Sequence, residues 1–484
     1  MRRATVRCLT VLACAVSLAC GARAQELPGA VLPPPATVQE VLVQLPQVRA
    51  AGAGLALAQA RGERLRAGPH DWVAKAGANQ RREQGGTRYA ETELGLETGM
   101  RWPGKVAADR QLGAAVEQVA VLAQADAWHE AARTLLADWF EALRSARTDQ
   151  LLQAQEALMA RTLAATQRRV DLGEAATLEL LATQAEHARV KAQAARATAQ
   201  AMLVRQSLLR RYPGLPDPAS LLPPADAPWP AEVPEGGTNG QDPAAAWVAR
   251  ILEDNHELEL AEAQAGQTRL QAERMRLERT PDPTVGVRAT RERGGQEHVL
   301  GVYVSLPLGS AGRRADAQAA LAQADVAQQE LARTRQRVEA EAWRVVGEAA
   351  QARATLAQQR QALAYSEKSA ALQARAYALG ESGLGDWLLA QRGALDARLA
   401  AETAALEAQQ AAVQQKTEAK TEERHEQVVE RLDALIEAYK PQSKGLVDMA
   451  ADTLGEKLGK GRKGKGRRPG SRGRSNSLRD AGGS

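Results

Sequence analysis

The chain has 484 residues, with 63 Lys and Arg against 58 Asp and Glu, a net charge of +5 and only 3% aromatic side chains. That content cannot fill the cores of the ordinary globules this length would allow at ~150 residues each; Ala, Gln, Arg, Glu and Leu instead favour extended helices with narrow, small-residue seams. The pI of about 9.1 invites a nucleic-acid or anionic-surface reading, but Arg2, Arg3, Arg7 and Arg23 give residues 1–24 a charge of +4, residues 441–484 carry +7, and removing both from +5 leaves −6 on the body.

Residues 1–24 read as a secretory leader. Arg2 and Arg3 form its positive end, Cys8 to Leu18 an apolar core too short to span a bilayer, and Ala22-Arg23-Ala24 a small-x-small cleavage site. All three cysteines (Cys8, Cys14, Cys20) lie inside it, so the exported chain would hold no disulfide, thiolate metal site or cysteine nucleophile. Ser17-Leu18-Ala19-Cys20 is a poor lipoprotein box; its use would make Cys20 an acylated N-terminus instead of cleavage after Ala24.

Beyond the leader the chain repeats itself. A helix around Pro46-Gln47-Val48 matches one around His256-Glu257-Leu258. Two alternating strands about a Gly85-Gly86 turn (about residues 70–102) match two about Gly294-Gly295 (about 284–307). Proline-free stretches follow, Gly104 to Asp171 and Gly312 to Ala378, with apolar residues at three- and four-residue spacing. Each predicts a helix of roughly 100 Å at ~1.5 Å per residue. Arg169-Val-Asp-Leu-Gly-Glu-Ala then matches Ala376-Tyr-Ala-Leu-Gly-Glu-Ser, with Gly173 opposite Gly380, 207 positions on. These glycines would supply the left-handed residue that ends each outgoing helix. Return helices are predicted over Thr177 to Arg211 and about Leu384 to Tyr439, so that the two helical hairpins occupy 104–211 and 312–439. In the first unit the Pro-rich stretch 212–243 interrupts the return, and a single helix over Ala244 to Arg279 completes it. The predicted organisation is a leader (1–24), a first repeat (25–243), a second repeat (244–440) and a disordered basic tail (441–484).

The strands alternate strictly. Ala90, Thr92, Leu94, Leu96, Thr98, Met100 and Trp102 share one face, and Glu91, Glu93, Gly95, Glu97 and Gly99 the other; Leu300, Val302, Val304 and Leu306 alternate likewise with Gly301, Tyr303 and Ser305. Such a period fits either a half-buried sheet or a barrel wall between lipid and water. Four strands cannot close a barrel, so the membrane alternative implies oligomerisation.

The leader, the duplicated β-hairpin plus helical hairpin and the Leu-Gly-Glu turns together resemble the TolC-like outer-membrane efflux proteins, the exit ducts of tripartite pumps. The resemblance spans about Val38 to Gln415. It implies a mainly α chain with a β-barrel part: a homotrimer whose twelve strands form one outer-membrane barrel in lipid, continued by a periplasmic α-helical barrel. Leu172, Gly173, Glu174 and Leu379, Gly380, Glu381 match the tips on which a periplasmic adaptor, the partner of an inner-membrane pump, would dock. The 212–243 loop would lie in an equatorial belt. Of the family's branches, the heavy-metal (cobalt-zinc-cadmium type) one is given slight preference. On this architecture Glu91, Glu93 and Glu97 would face the lumen and bias it toward cations, unless they are plain solvent-side carboxylates. Asp171, Glu174, Glu179, Asp386 and Arg392 are candidate gating charges that would pair between subunits, the alternative being solvated helix-end charges.

Trp72, Trp102 and Tyr89 bracket the first hairpin as a candidate interfacial belt. His70, His129, His187, His256, His298 and His425 form no i,i+3 or i,i+4 pair, and neither a nucleophile elbow nor a phosphate loop occurs. We therefore expect no metal site, cofactor, enzymatic activity or nucleic-acid partner. The competing reading is a periplasmic coiled-coil adaptor or scaffold whose hairpins are soluble.

Overall fold

The computed structural model describes residues 31–82, 85–86, 88–223, 243–253 and 255–419. The leader, most of the Pro-rich loop (224–242), the charged stretch from residue 420 and the basic tail lie outside them. In chain order the elements are α1 (Pro35–Gln44), α2 (Pro46–Ala67), β1 (Val73–Arg82), β2 (Arg88–Gly99), α3 (Pro103–Asp171) and α4 (Thr177–Arg211). The same succession recurs as α5 (Pro243–Glu253), α6 (His256–Leu277), β3 (Thr284–Glu292), β4 (Glu297–Ser305), α7 (Ala311–Ala378) and α8 (Leu384–Glu418). Lengths recur as well: α2 and α6 have 22 residues each, α4 and α8 have 35, and α3 and α7 have 69 and 68.

The long helices persist because no proline interrupts their hydrogen-bond ladders and small residues fill their seams. Each stops at a glycine. Gly173 and Gly380 have φ of +78° and +75°, and in both turns the next glutamate N–H reaches back to the helix, Glu174 to the Arg169 carbonyl (2.8 Å) and Glu381 to the Ala376 carbonyl (2.9 Å). The glycine N–H bonds to Val170 or Tyr377, which completes the six-to-one, five-to-two helix stop.

One expectation fails between the repeats. The predicted single helix over Ala244 to Arg279 is two helices, α5 and α6. Asn255 breaks it: its extended backbone leaves the helix, and its side chain accepts the Leu258 N–H at 2.9 Å, capping α6. Helix α8 is described only to Glu418, so the predicted run to Tyr439 extends outside the described residues. At the matching place in the first unit, α1 and α2 bend by 63° at Leu45-Pro46, where proline holds the preceding residue extended.

Helices α3 and α4 pack as one antiparallel hairpin, α7 and α8 as the other; α2 lies on α3, and α6 packs on both α3 and α7. The largest core sits mid-length on α3. Trp139 and Phe140, both 0% exposed, meet Leu42, Leu208, Tyr212 and Leu406, and the Trp139 indole N–H donates to the Val31 carbonyl at 2.8 Å.

The four strands form one antiparallel sheet in the order β1-β2-β3-β4. Its middle pair, β2 and β3, joins the two repeats, with Thr92 opposite Arg291 and Gly99 opposite Thr284. Among the described residues, strands β1 and β4 are the edges of the sheet. No single helix among the described residues is long and apolar enough to cross a membrane.

Candidate functional site

The sheet has two unlike faces. Register places Leu94, Leu96, Val287, Leu300, Val302 and Val304 together on one of them. This apolar face is bare, with Leu300 83% and Val302 84% exposed. The opposite face carries Glu91, Glu93 and Glu97 as the sequence suggests, and also Lys75, Arg81, Arg288, Glu292 and Glu297. Glu97 lies 2.7 Å from Lys75 and accepts from the Tyr303 hydroxyl; Glu91 lies 3.3 Å from Arg81. The three sequence-selected glutamates therefore share their face with cations, and two of them are ion-paired, which weakens the expected bias toward cationic cargo. Tyr89 stands opposite Arg81 on this polar face, so it does not belong to a belt with Trp72. Trp72 and Trp102 are exposed at the helix-proximal end of the sheet.

Where sheet meets helices, the structure assembles a charged network that sequence reasoning missed. Lys105, 1% exposed, sits 3.0 Å from Glu278 and 2.9 Å from Asp282. Asp282 also lies 2.9 Å from His70 Nε2 and accepts the backbone N–H of Trp102. Asp109 binds Arg101 at 2.8 Å and Arg274, while Arg313 reaches Glu278 at 2.9 Å. Most of these contacts cross between repeats. Burial alone would raise the carboxyl pKa values; hydrogen bonds from His70 and Lys105 hold Asp282 below the usual carboxylate range, and those from Arg274 and Lys105 do the same for Glu278. The one signal available in the sequence was the pair of Pro-marked segments GPHDW and TPDPT, which align His70-Asp71 with Asp282.

At the other end of α3, roughly 100 Å away at ~1.5 Å per residue, lie the two helix turns. Leu172 and Leu379 are exposed there, as are Gly173, Glu174, Gly380 and Glu381. Nothing lies within 4 Å of a Cβ added to either glycine. The candidate gating charges are dispersed. Asp171 accepts from Gln167 at 2.8 Å in its own helix. Glu179 and Asp386 occupy the first turns of α4 and α8, where a carboxylate is favoured by the helix N-terminus; one Glu179 oxygen is buried without a hydrogen-bond partner. Arg392 donates to Glu186 of α4 at 2.6 Å, a pair inside one chain, and Glu186 also binds Arg189. The Arg189 hydrogen bond, aided by Arg392, keeps the Glu186 pKa low against the burial that would raise it.

Nearby, Tyr377 of α7 stacks on Trp387 of α8 at 5.7 Å, and Arg169 of α3 donates to the Tyr377 hydroxyl. With Met159, Val190, Leu384 and Leu388 these residues hold the two hairpins together near the turns. The only cue to them in the sequence is that Tyr377 precedes the Leu-Gly-Glu turn. Among the described residues no group of three or more His, Cys, Asp or Glu is placed to hold a metal ion.

No protein-family model and no curated protein sequence matches the chain. Solved structures do. The outer-membrane channel OprN superposes with a TM-score of 0.64 at 19% identity, over 79% of this chain and 89% of its own. The outer membrane protein VceC from Vibrio cholerae gives 0.62 at 17%, over 78% of this chain and 95% of its own. The open state of the Neisseria gonorrhoeae MtrE outer membrane channel gives 0.60 at 16%, over 81% and 89%. This chain has the fold of these channels. At such identities the likeness establishes architecture alone.

Proposed function

We propose that the chain is one subunit of an outer-membrane exit channel, a homotrimer that serves as the passive duct of a tripartite efflux system. The observation that carries this reading is the sheet itself: two unpaired edges and a bare apolar face. In water such a face would invite aggregation. Three copies joined edge to edge close a barrel without edges, the form in which strands can cross lipid. Ala90 to Met100 covers about 34 Å at ~3.4 Å per residue, and a tilt of ~40° reduces this to ~26 Å, close to the ~25 Å apolar band of outer-membrane barrels. The long hairpins would continue the tube through the periplasm. A soluble adaptor or scaffold leaves the apolar face without an explanation.

At the far end, the two glycine-stopped turns with exposed Leu172 and Leu379 are the proposed docking tips for the adaptor that links the duct to an inner-membrane pump. The polar face sets mixed demands on cargo. Five carboxylates (Glu91, Glu93, Glu97, Glu292, Glu297) against three cations (Lys75, Arg81, Arg288) leave it mildly acidic, which is the one support for the metal-exporting branch. Fractionation tests the duct directly: the protein should sediment with outer membranes and need detergent, and release by osmotic shock would contradict it. Tolerance of a deletion strain to metal salts and to hydrophobic drugs separates the cargo classes.

A further inference from the structure

The apolar face does not stay apolar up to its turns. Arg82 of β1 and Arg88 of β2 are direct cross-strand partners at that end, and on the other hairpin Arg291 of β3 is the partner of His298 of β4. All four are exposed and lie in phase with the Leu94 and Val302 rows. Among the described residues none of the three arginines has an acidic partner, whereas Lys75 and Arg81 on the opposite face are both paired. Like charges placed directly opposite on a sheet repel, so the Arg82–Arg88 pair is best accommodated by an anion from outside the chain. What borders them on the sheet is the apolar band. An arginine at the margin of such a band extends its guanidinium to headgroup level, where its planar fork matches phosphate oxygens two at a time.

We infer that Arg82, Arg88 and Arg291, with His298, form a cationic rim on the outside of the barrel that binds the phosphate groups of an anionic outer-leaflet lipid. The outer leaflet follows because the rim lies at the end of the sheet remote from the helices. This placement rests on the duct reading. The chemistry recognised is a phosphate monoester or diester carried on a lipid whose acyl chains cover Leu300 and Val302. Free phosphate, having no acyl chains, would gain nothing from those residues.

The full-length protein, extracted in mild detergent and stripped of lipid, is incubated with bisphosphorylated lipid A or with lipid A from which the phosphates have been removed. Bound lipid per chain is then read by native mass spectrometry. The wild type is expected to retain the phosphorylated lipid preferentially. The combined variant Arg82→Gln, Arg88→Gln, Arg291→Gln should lose about tenfold or more of that retention, in line with three basic groups leaving an anionic surface. The Lys triple variant, keeping charge without the fork, should fall between them. Equal retention of both lipids by the wild type overturns the inference, and that comparison decides the matter even if the Gln variant fails to assemble. Equal binding by the Gln variant overturns it too, as does displacement of the lipid by inorganic phosphate alone. A protein found outside the outer membrane sinks the duct reading and this inference together; one found in the outer membrane without phosphate preference sinks only the inference.

Discussion

The helical body and the sheet solve opposite problems. Mid-length on α3 the chain buries Trp139 and Phe140 completely within one copy and satisfies the indole N–H on Val31. The sheet keeps Leu300 and Val302 more than four-fifths exposed and leaves two edges open. One region is finished by its own sequence; in the duct we propose, the other is finished by its surroundings, lipid on one side and further copies at the edges. The charged network around Lys105 and Asp282 marks the border, where strand ends must be held to helix ends with both repeats contributing.

This contrast can be broken from either side. Trp139→Ala should cost ~3–5 kcal/mol, as for a fully buried Trp, and should lower the thermal midpoint of the detergent-solubilised protein; an unchanged midpoint would deny that the body is self-sufficient. Val302→Arg should cost ~2–4 kcal/mol, the penalty of a cation on the lipid face at mid-depth. It should reduce assembly into outer membranes while sparing helical content measured by circular dichroism, and normal assembly would return the face to water.

At the border, Asp282→Asn should destabilise by ~1–3 kcal/mol, because buried Lys105 loses one of two partners. The pH dependence has a fixed sign. Asp282 and Glu278 have depressed pKa values in the folded chain, so their contribution is complete above the ordinary carboxylate pKa of ~4 and is lost as pH falls through their lowered values. Acid titration of thermal stability should therefore show a smaller loss below pH ~4 in Asp282→Asn than in wild type; parallel curves would remove the network from the account. The smallest expected effect is at the tips. Gly173→Val or Gly380→Val imposes ~1–2 kcal/mol of left-handed strain, with no other atom within 4 Å of the added Cβ. Export should suffer while trimers persist, and unchanged drug and metal tolerance in both would argue against docking there.

Much of the helical body could be read in the sequence because proline-free apolar periodicity and a glycine after Asp171 or Ala378 are local signals. The alternation of the strands likewise gave the two faces with their correct members. The break at Asn255 escaped because apolar spacing runs across it unbroken, although an asparagine three residues before Leu258 is a cap signal. The border network escaped for a different reason. His70 and Asp282 are 212 positions apart, and only folding of the two repeats against each other brings them together. Pairing of Arg392 with Glu186 inside the chain was equally invisible, since helix faces in contact across hairpins are not marked by spacing along either helix.

The proposed duct requires edge-to-edge closure of three sheets, and cysteine cross-linking tests that closure most directly, because the only native cysteines lie within the first 24 residues. With Ala76→Cys on β1 combined in turn with Leu300→Cys, Val302→Cys or Val304→Cys on β4, oxidation in intact outer membranes should yield, for the pair in register, dimers and trimers and nothing larger. Absence of cross-links for every pair, or a ladder extending past the trimer, would contradict it.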